Sequence, residues 1–483
     1  MVHPRLICWI AGLIVLVTGC MQLLPVACSL AMGDGMEGAF LKSGAAALAA
    51  GLALAAAGRS ARRQEPRHRE SIAVVGVSWF LVSLFGGLPY LFSGVLDAWG
   101  AFFESFSGFS STGATNIADL SLVPPSILFW RVFTQYLGGM GIIVLMVAVL
   151  PFLGVGGQIM MKNELSGVSG EKLKPRVAQT AKILWMVYLA YTLALFVLYL
   201  AGGAGAFDSL CLSFSTISTG GFANWNDSVA HFRGWYMPAV TLVFMALGSV
   251  SFALHYQLFT GRPRALLLNP EVLFFASAVV LVSALAMSSL LSSGYYRSPG
   301  EAAFAAVFHS VSVASTTGHC IRNWGDWPAL AQGAVFGLAL VGGCTGSTSG
   351  GLKCVRWLIL FKTLHRVLRR YIHPRSVITV RLAGKPVSEE VLEGVWMFFL
   401  LYFLAAAAAT LVLLGLGLDI LTAASASLSS LGNVGPALGS LGPDTTYAWI
   451  PGPAKGILSL LMLLGRLELY SLLVLFVPEF WRR

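Results

Sequence analysis

Ten times between residues 6 and 477 the chain runs through an apolar stretch able, as a helix, to cross about 30 Å of hydrocarbon. The stretches lie near 6–30, 39–57, 72–95, 126–152, 183–201, 236–260, 271–293, 330–361, 392–417 and 454–477. Such a chain cannot hide its apolar surface inside a water-soluble globule. Only 11% of its 483 residues are charged and 57% are hydrophobic, and the mean hydropathy is +0.77. Lipid is the solvent this predicts. Strands cross lipid only in closed barrels, so runs of this length predict an all-α polytopic membrane protein. The first run is too long for the core of a signal peptide and a second follows closely, so both read as retained spanning helices.

The net charge of +10 gathers in links on one side. Residues 59–70 (RSARRQEPRHRE) hold five arginines, 162–182 five Lys/Arg and 362–385 seven; Arg262 and Arg264 follow the sixth stretch. With Arg5, Arg482 and Arg483, that side carries 22 of 31 basic residues. The positive-inside rule puts this side and both termini in the cytoplasm. The same clusters offer docking surfaces to a cytosolic partner, but without interleaved aromatic residues they give no nucleic-acid platform. The seven cysteines are scattered without CxxC spacing and read as small packing residues.

From the third stretch onward, each outward-side connection contains a shorter apolar piece ending in a glycine-rich turn. The four pieces are FESFSGFSSTGAT (103–115), LCLSFSTISTGGF (210–222), FHSVSVASTTGHC (308–320) and ASASLSSLGNVGP (424–436). Aligned on one glycine, their cores are Ser111-Thr112-Gly113, Ser218-Thr219-Gly220, Thr316-Thr317-Gly318 and Ser430-Leu431-Gly432, with the glycines 107, 98 and 114 residues apart. This predicts a unit of helix, short re-entrant helix, loop and helix, repeated four times. The expected division is two extra N-terminal helices (1–70), then repeats at 71–160, 161–265, 266–388 and 389–483.

Non-helical backbone at membrane depth must be buried in protein or line a wet cavity. A ring of backbone carbonyls supplies the oxygens a dehydrated cation needs without trapping it as carboxylates would, and glycine lets four backbones approach one axis. The expected filter residues are Thr112, Gly113, Thr219, Gly220, Thr317, Gly318, Leu431, Gly432 and Asn433. Asp97 and Glu104, then Asp208, Glu301 and Asp419, precede or open the short helices, either as caps and dipole partners or to attract cations. Leu431 in place of threonine breaks strict fourfold symmetry. His319, beside the third glycine, either bears on ion affinity or makes a hydrogen bond at the outer vestibule.

This arrangement resembles the Trk/Ktr/HKT superfamily of K+ transporters, most closely its bacterial Trk-type membrane subunit. Further matching segments are WRVFTQYLGGMGIIVL (130–145), LPFLGVGG (150–157), GSTSGGLKCVRW (346–357) and GRLELYSLL (465–473). The resemblance implies four helix–pore-helix–helix repeats around one K+ pore and a homodimer in the cell inner membrane. It also implies a cytosolic ring that binds a nucleotide, NAD or ATP/ADP, and controls opening. All four aligned positions are glycine, so the plant-type serine linked to Na+ transport is absent and K+ is the expected ion. No cofactor is expected in this chain, which has no Walker loop or Rossmann fingerprint; GKPVSE at 384–389 lacks the upstream glycine.

The eighth stretch is interrupted by Gly342 to Gly351, where five glycines with Ser and Thr break the helix. From the residues alone this is a kink or a movable loop. The resemblance favours a gating loop made of Gly343, Cys344, Thr345, Gly346, Ser347, Thr348, Ser349 and Gly350. Lys353 either anchors the moving half or is an ordinary cytoplasmic-side charge. Arg466 lies near mid-membrane, where facing lipid would cost about 2.5–3.5 kcal/mol or more. It is expected to project into the pore below the filter as an electrostatic barrier, the other reading being a salt bridge to another span. A cation-coupled carrier is the competing reading, disfavoured by the scarcity of acidic residues in the spans. An enzyme is not expected, because HExxH, GxSxG and paired intramembrane aspartates are missing, and His255 and His309 stand alone.

Overall fold

The computed structural model describes residues 3–64, 66–148 and 173–481, and its regular structure is almost entirely helical. LPFLGVGG at 150–157 lies outside the described residues, as does the basic segment as far as Lys172. The N-terminal unit comprises α1 (Pro4–Met21), α2 (Leu23–Met32) and α3 (Glu37–Gly58). The first repeat is α4 (His68–Phe92), the short α5 (Ala98–Phe109) and α6 (Pro125–Ala148). The second is α7 (Leu173–Ala201), short α8 (Ala206–Ile217) and the broken pair α9 (Tyr236–Gly248) and α10 (Phe252–Phe259), followed by the turn α11 (Pro263–Leu267). The third is α12 (Pro270–Ser292), short α13 (Pro299–Ala314), α14 (Ala329–Gly337) and α15 (Cys354–Ile372). The fourth is α16 (Glu389–Gly415), short α17 (Ile420–Gly432), α18 (Gly452–Arg466) and α19 (Leu469–Leu473), and α20 (Pro478–Trp481) follows.

Among the described residues, six helices are long and apolar enough to cross a membrane, or eight if each of two bent pairs counts as one span. The ten expected crossings are not all reached by this count. The eighth is divided between α14 and α15, with non-helical chain from 341 to 353. The second helices of repeats two and four are also broken, by bends of 102° between α9 and α10 and 115° after Arg466. Two of the breaks sit at non-glycine residues with left-handed backbone, Lys353 (φ +67°) and Glu468 (φ +60°). Outward-facing Val280, Leu281 and Leu411 are each about 70% exposed, as side chains facing lipid should be.

Two devices hold the frame. The N-terminal helices pack through small residues: Gly58 of α3 lies against the Arg5 carbonyl and Trp9 backbone of α1, so close that a methyl group there overlaps both. They are tied to the first repeat by Gln22, which accepts from Ser43 at 2.6 Å and donates to the Phe85 carbonyl of α4 at 3.2 Å. Asp34 accepts from the Ser126 amide at the start of α6 at 2.8 Å. The second device binds short helix to following helix. Gly138 on α6 touches the Phe109 carbonyl that ends α5, and Gly465 on α18 touches the Leu431 carbonyl near the end of α17. In the link between α15 and α16, Ala383-Gly384 (φ +47° and +78°) turns a small hairpin of β1 (Arg381–Leu382) and β2 (Lys385–Pro386), so GKPVSE begins as a hairpin turn.

Gly58→Ile should force α1 and α3 apart at a cost of about 1–3 kcal/mol, typical of overpacking. It should lower the thermal unfolding midpoint in detergent, whereas Gly38→Ala, where added atoms meet nothing, should leave it unchanged.

Candidate ion-conduction site

All four short helices end alike. One residue after each takes a left-handed backbone: Ser111 (φ +55°), Thr219 (+51°), Thr316 (+57°) and Asn433 (+54°). The next amide reaches back five residues: Thr112 to Ser107 at 2.9 Å, Gly220 to Ser215 at 2.8 Å, Thr317 to Ser312 at 2.9 Å and Val434 to Ser429 at 3.0 Å. This is the Schellman closure of a helix C-terminus. One residue further stands a left-handed glycine: Gly113 (φ +82°), Gly221 (+81°), Gly318 (+81°) and Gly435 (+97°).

The structural register therefore corrects the sequence alignment at two of four places. Gly113 and Gly318 occupy the same register in sequence and in structure. Gly221, not Gly220, is their partner in the second repeat, and Gly435, not Gly432, in the fourth. Gly220 takes the place of Thr112 and Thr317, and Thr219 is the left-handed residue before it. Leu431 and Gly432 belong to the last turn of α17, and Asn433 is its left-handed cap. In the fourth loop asparagine, which tolerates φ > 0, marks the place of the left-handed residue two positions before Gly435.

These loops close on one another. A methyl group at Gly113 overlaps the carbonyl oxygen of Gly220; at Gly221, that of Thr317; at Gly318, that of Val434; at Gly435, that of Thr112. The contacts run from first repeat to second, third, fourth and back to first. The four glycines also line one open cavity, together with Ala114, Thr115, Cys320, Pro436 and Tyr447. Threonine hydroxyls brace the ring: Thr112 pairs with Ser110 at 2.6 Å and accepts from the Asn433 amide at 3.0 Å, and Thr317 pairs with Ser315 at 2.7 Å.

Around the ring, buried polar side chains join one loop to the next, and Glu104 serves as an ion-pair partner inside α5 and not as a cap. Glu104, fully buried, accepts from Arg131 at 2.7 Å, the Asn116 amide at 2.7 Å and Thr115 at 3.0 Å. Arg131 also donates to the Ala223 carbonyl at 3.2 Å and lies over the Phe222 ring at 4.2 Å, joining the first two repeats. Gln135 clamps the second loop, donating to the Gly220 carbonyl at 2.6 Å and accepting from the Phe222 amide at 3.1 Å. Polar residues inside the apolar run 126–152 were the available signal, since facing lipid is expensive for them. Of the acidic residues near the short helices, Asp97 and Asp419 cap helix N-termini at 2.9 and 3.1 Å, and Asp208 accepts from Asn224 at 2.8 Å. His319 bridges Thr216 and Ser228 at 3.2 and 3.3 Å.

Beneath the ring lies the 341–353 segment. The Thr348 hydroxyl donates to the Ile217 carbonyl at 3.1 Å, the Gly350 amide to the Thr316 hydroxyl at 2.7 Å and the Gly351 amide to the Gly432 carbonyl at 2.8 Å. The segment thus meets the ends of short helices two, three and four. Arg466 meets the first: it donates to the Ser111 hydroxyl at 3.1 Å, the Gly138 carbonyl at 3.2 Å and the Thr348 carbonyl at 2.7 Å. Its partners are neutral oxygens, not a carboxylate on another span. Glu468 pairs instead with Arg356 at 2.5 Å, with Arg356 stacked 3.8 Å from Phe398. Lys353 donates to the Ser349 carbonyl within its own loop, and half-buried Glu271 accepts from the Thr345 amide at 2.7 Å.

Four re-entrant segments of one chain, closing backbone carbonyls and glycines around one axis inside a helical membrane protein, define an ion-transport protein. A family model described as TrkH, cation transport protein, matches residues 37–483, and the chain belongs to that family. The "Trk system potassium uptake protein TrkH" of Halomonas elongata is 37% identical over 489 residues, 99% of each chain. The protein of the same name in Escherichia coli K12 is 36% identical over 484 residues, 99% of this chain and 100% of the relative. The crystal structure of the potassium transporter TrkH from Vibrio parahaemolyticus, 34% identical, superposes with a TM-score of 0.91 over 99% of both chains. Membership in a transport family carries the expectation that the chain is not an enzyme.

Arg131→Met leaves Glu104 buried without its counter-charge and should destabilise the protein by about 3–5 kcal/mol. Loss of the cap in Asp97→Ala should cost only about 1 kcal/mol. Thermal unfolding of the two variants in detergent should show the larger drop for Arg131→Met.

Proposed function

We propose that this chain takes up K+ across the bacterial inner membrane through a gated, channel-like pore selective for K+ over Na+. The observation that carries the reading is the cyclic contact of Gly113, Gly221, Gly318 and Gly435 with the carbonyls of Gly220, Thr317, Val434 and Thr112. Carbonyl oxygens around a narrow axis replace the hydration shell of K+, and their partial charges hold it weakly enough to release it. The names of the relatives, which are potassium uptake proteins, support K+ as cargo. The short helices end at the ring, so their negative dipole ends favour a cation just inside it.

The gate is the 341–353 segment together with Arg466. Both occupy the space under the ring through hydrogen bonds to ends of the short helices, and a passing ion needs those bonds exchanged for water. Arg466 adds a positive charge on the path, and Lys353 steadies the moving segment. The protein works as a homodimer with both termini cytoplasmic, and a cytosolic nucleotide-binding ring drives the gate. The exposed Arg369 and Arg370 at the end of α15 suit such a partner. Arg366 is a poorer candidate, being paired with Glu389 at 2.6 Å.

K+ and Na+ flux in proteoliposomes tests the reading. A side chain at Gly435 meets the left-handed penalty of about 1–2 kcal/mol and the Thr112 carbonyl. Gly435→Ser and Gly113→Ser should therefore lower the K+ to Na+ flux ratio, while Gly432→Ser should retain it. Flux that requires a second ion gradient overturns the channel-like reading, and a selectivity loss in Gly432→Ser alone overturns the ring assignment. Arg466→Ala should raise K+ flux without altering that ratio; unchanged flux removes it from the gate.

A further inference from the structure

Two thiols sit at the ends of the segment beneath the ring. Cys344 follows Gly343 near its start, and Cys354 is the first residue of α15 at its finish. The Cys354 amide donates to the Gly343 carbonyl at 3.1 Å and its thiol to the Gly342 carbonyl at 3.3 Å, which folds the segment back on itself. These two bonds bring Cys354 alongside the residues that immediately precede Cys344. Both are buried in the core of the third repeat, 1% and 0% exposed, and both are free thiols. Every contact of the segment with the short helices, through Thr348, Gly350 and Gly351, is made by residues between them.

We propose that Cys344 and Cys354 are a modification site: a reversible disulfide between them locks the segment in its place beneath the ring and stops flux. The inference rests on the gating reading above. The oxidant is a hydroperoxide. One thiolate attacks the peroxide oxygen, giving a sulfenic acid and, with hydrogen peroxide, one water; the second thiol attacks that sulfur, forms the S–S bond and releases a second water. Two thiols lose two electrons and two protons, and the peroxide takes up both. A closed loop is held mainly because the crosslink removes its open conformations, and here the open conformations are those that conduct. Both thiols are buried, so the oxidant reaches them only as the segment loosens, while the bond can form only as they come back together.

The test uses the full chain in proteoliposomes treated with hydrogen peroxide. Mass spectrometry of a non-reducing digest reads the 344–354 linkage, and K+ flux is read on the same sample. Besides the native chain, two variants are compared: Cys354→Ser, and a chain with Cys8, Cys20, Cys28, Cys211 and Cys320 changed to alanine. The second removes Cys320, which lines the open cavity and is itself an oxidation target. The expected result is the 344–354 linkage with loss of most K+ flux, restored by dithiothreitol, in the native and five-alanine chains, and no such oxidant-dependent loss in Cys354→Ser. If the thiols stay unlinked while other cysteines oxidise, the inference falls and the gating reading is untouched. If the linkage forms in full and flux is unchanged, the gating reading falls and takes the inference with it. The native chain's linkage and flux alone decide between these outcomes should a variant fail to fold.

Discussion

A helix that stops inside a membrane leaves its last carbonyls without partners and without water to replace them. Four short helices here stop in that way, and much of the site is an answer to the groups they leave open. Each closes partly on itself through a left-handed residue and a backward-reaching amide. What remains is met from neighbouring elements: glycines on α6 and α18 let a carbonyl approach, Thr348 and Gly351 donate to the Ile217 and Gly432 carbonyls, and Arg466 reaches the first loop. The carbonyls of Thr112, Gly220, Thr317 and Val434 lie one residue beyond the closures, turned toward the ring. The ring of carbonyls and the termination of the helices are thus two products of the same geometry.

The same accounting explains why the 341–353 segment is polar and glycine-rich. Apolar side chains there would leave the ends of short helices two, three and four unsatisfied, whereas bare backbone and hydroxyls satisfy them. Its ends are fixed by different chemistry. Glu271 holds the Thr345 amide, while the Arg356–Glu468 pair ties the start of α15 to the break after α18. That pair couples the third repeat to the fourth, as Arg131, through the Ala223 carbonyl and the Phe222 ring, couples the first to the second.

Most of the architecture was legible in the sequence because hydropathy and repetition are long-range patterns: the spanning runs, the four short helices and the interruption of the eighth run all left a trace tens of residues long. The filter register was not fully legible, since it turns on single-residue backbone conformation. Gly220-Gly221 offers two glycines, and only the helix closure at Thr219 says which one faces the ring. In the fourth loop Gly432 is helical, and asparagine takes the left-handed position that Ser111, Thr219 and Thr316 hold elsewhere. Side-chain pairing was equally hidden. Glu468 lies two residues from Arg466 in sequence but 2.5 Å from Arg356 in space, because the chain turns sharply between the first two.

The ring is assembled from one continuous chain and not from four identical copies. In a pore of identical subunits every substitution is made four times over, and a residue that suits three quadrants but not the fourth is lost. Here each quadrant is free to specialise. Ala114, Phe222, His319 and Pro436 follow the four glycines, and a polar interruption on the scale of 341–353 is built into one second helix. Single substitutions can therefore reshape the ring one quarter at a time.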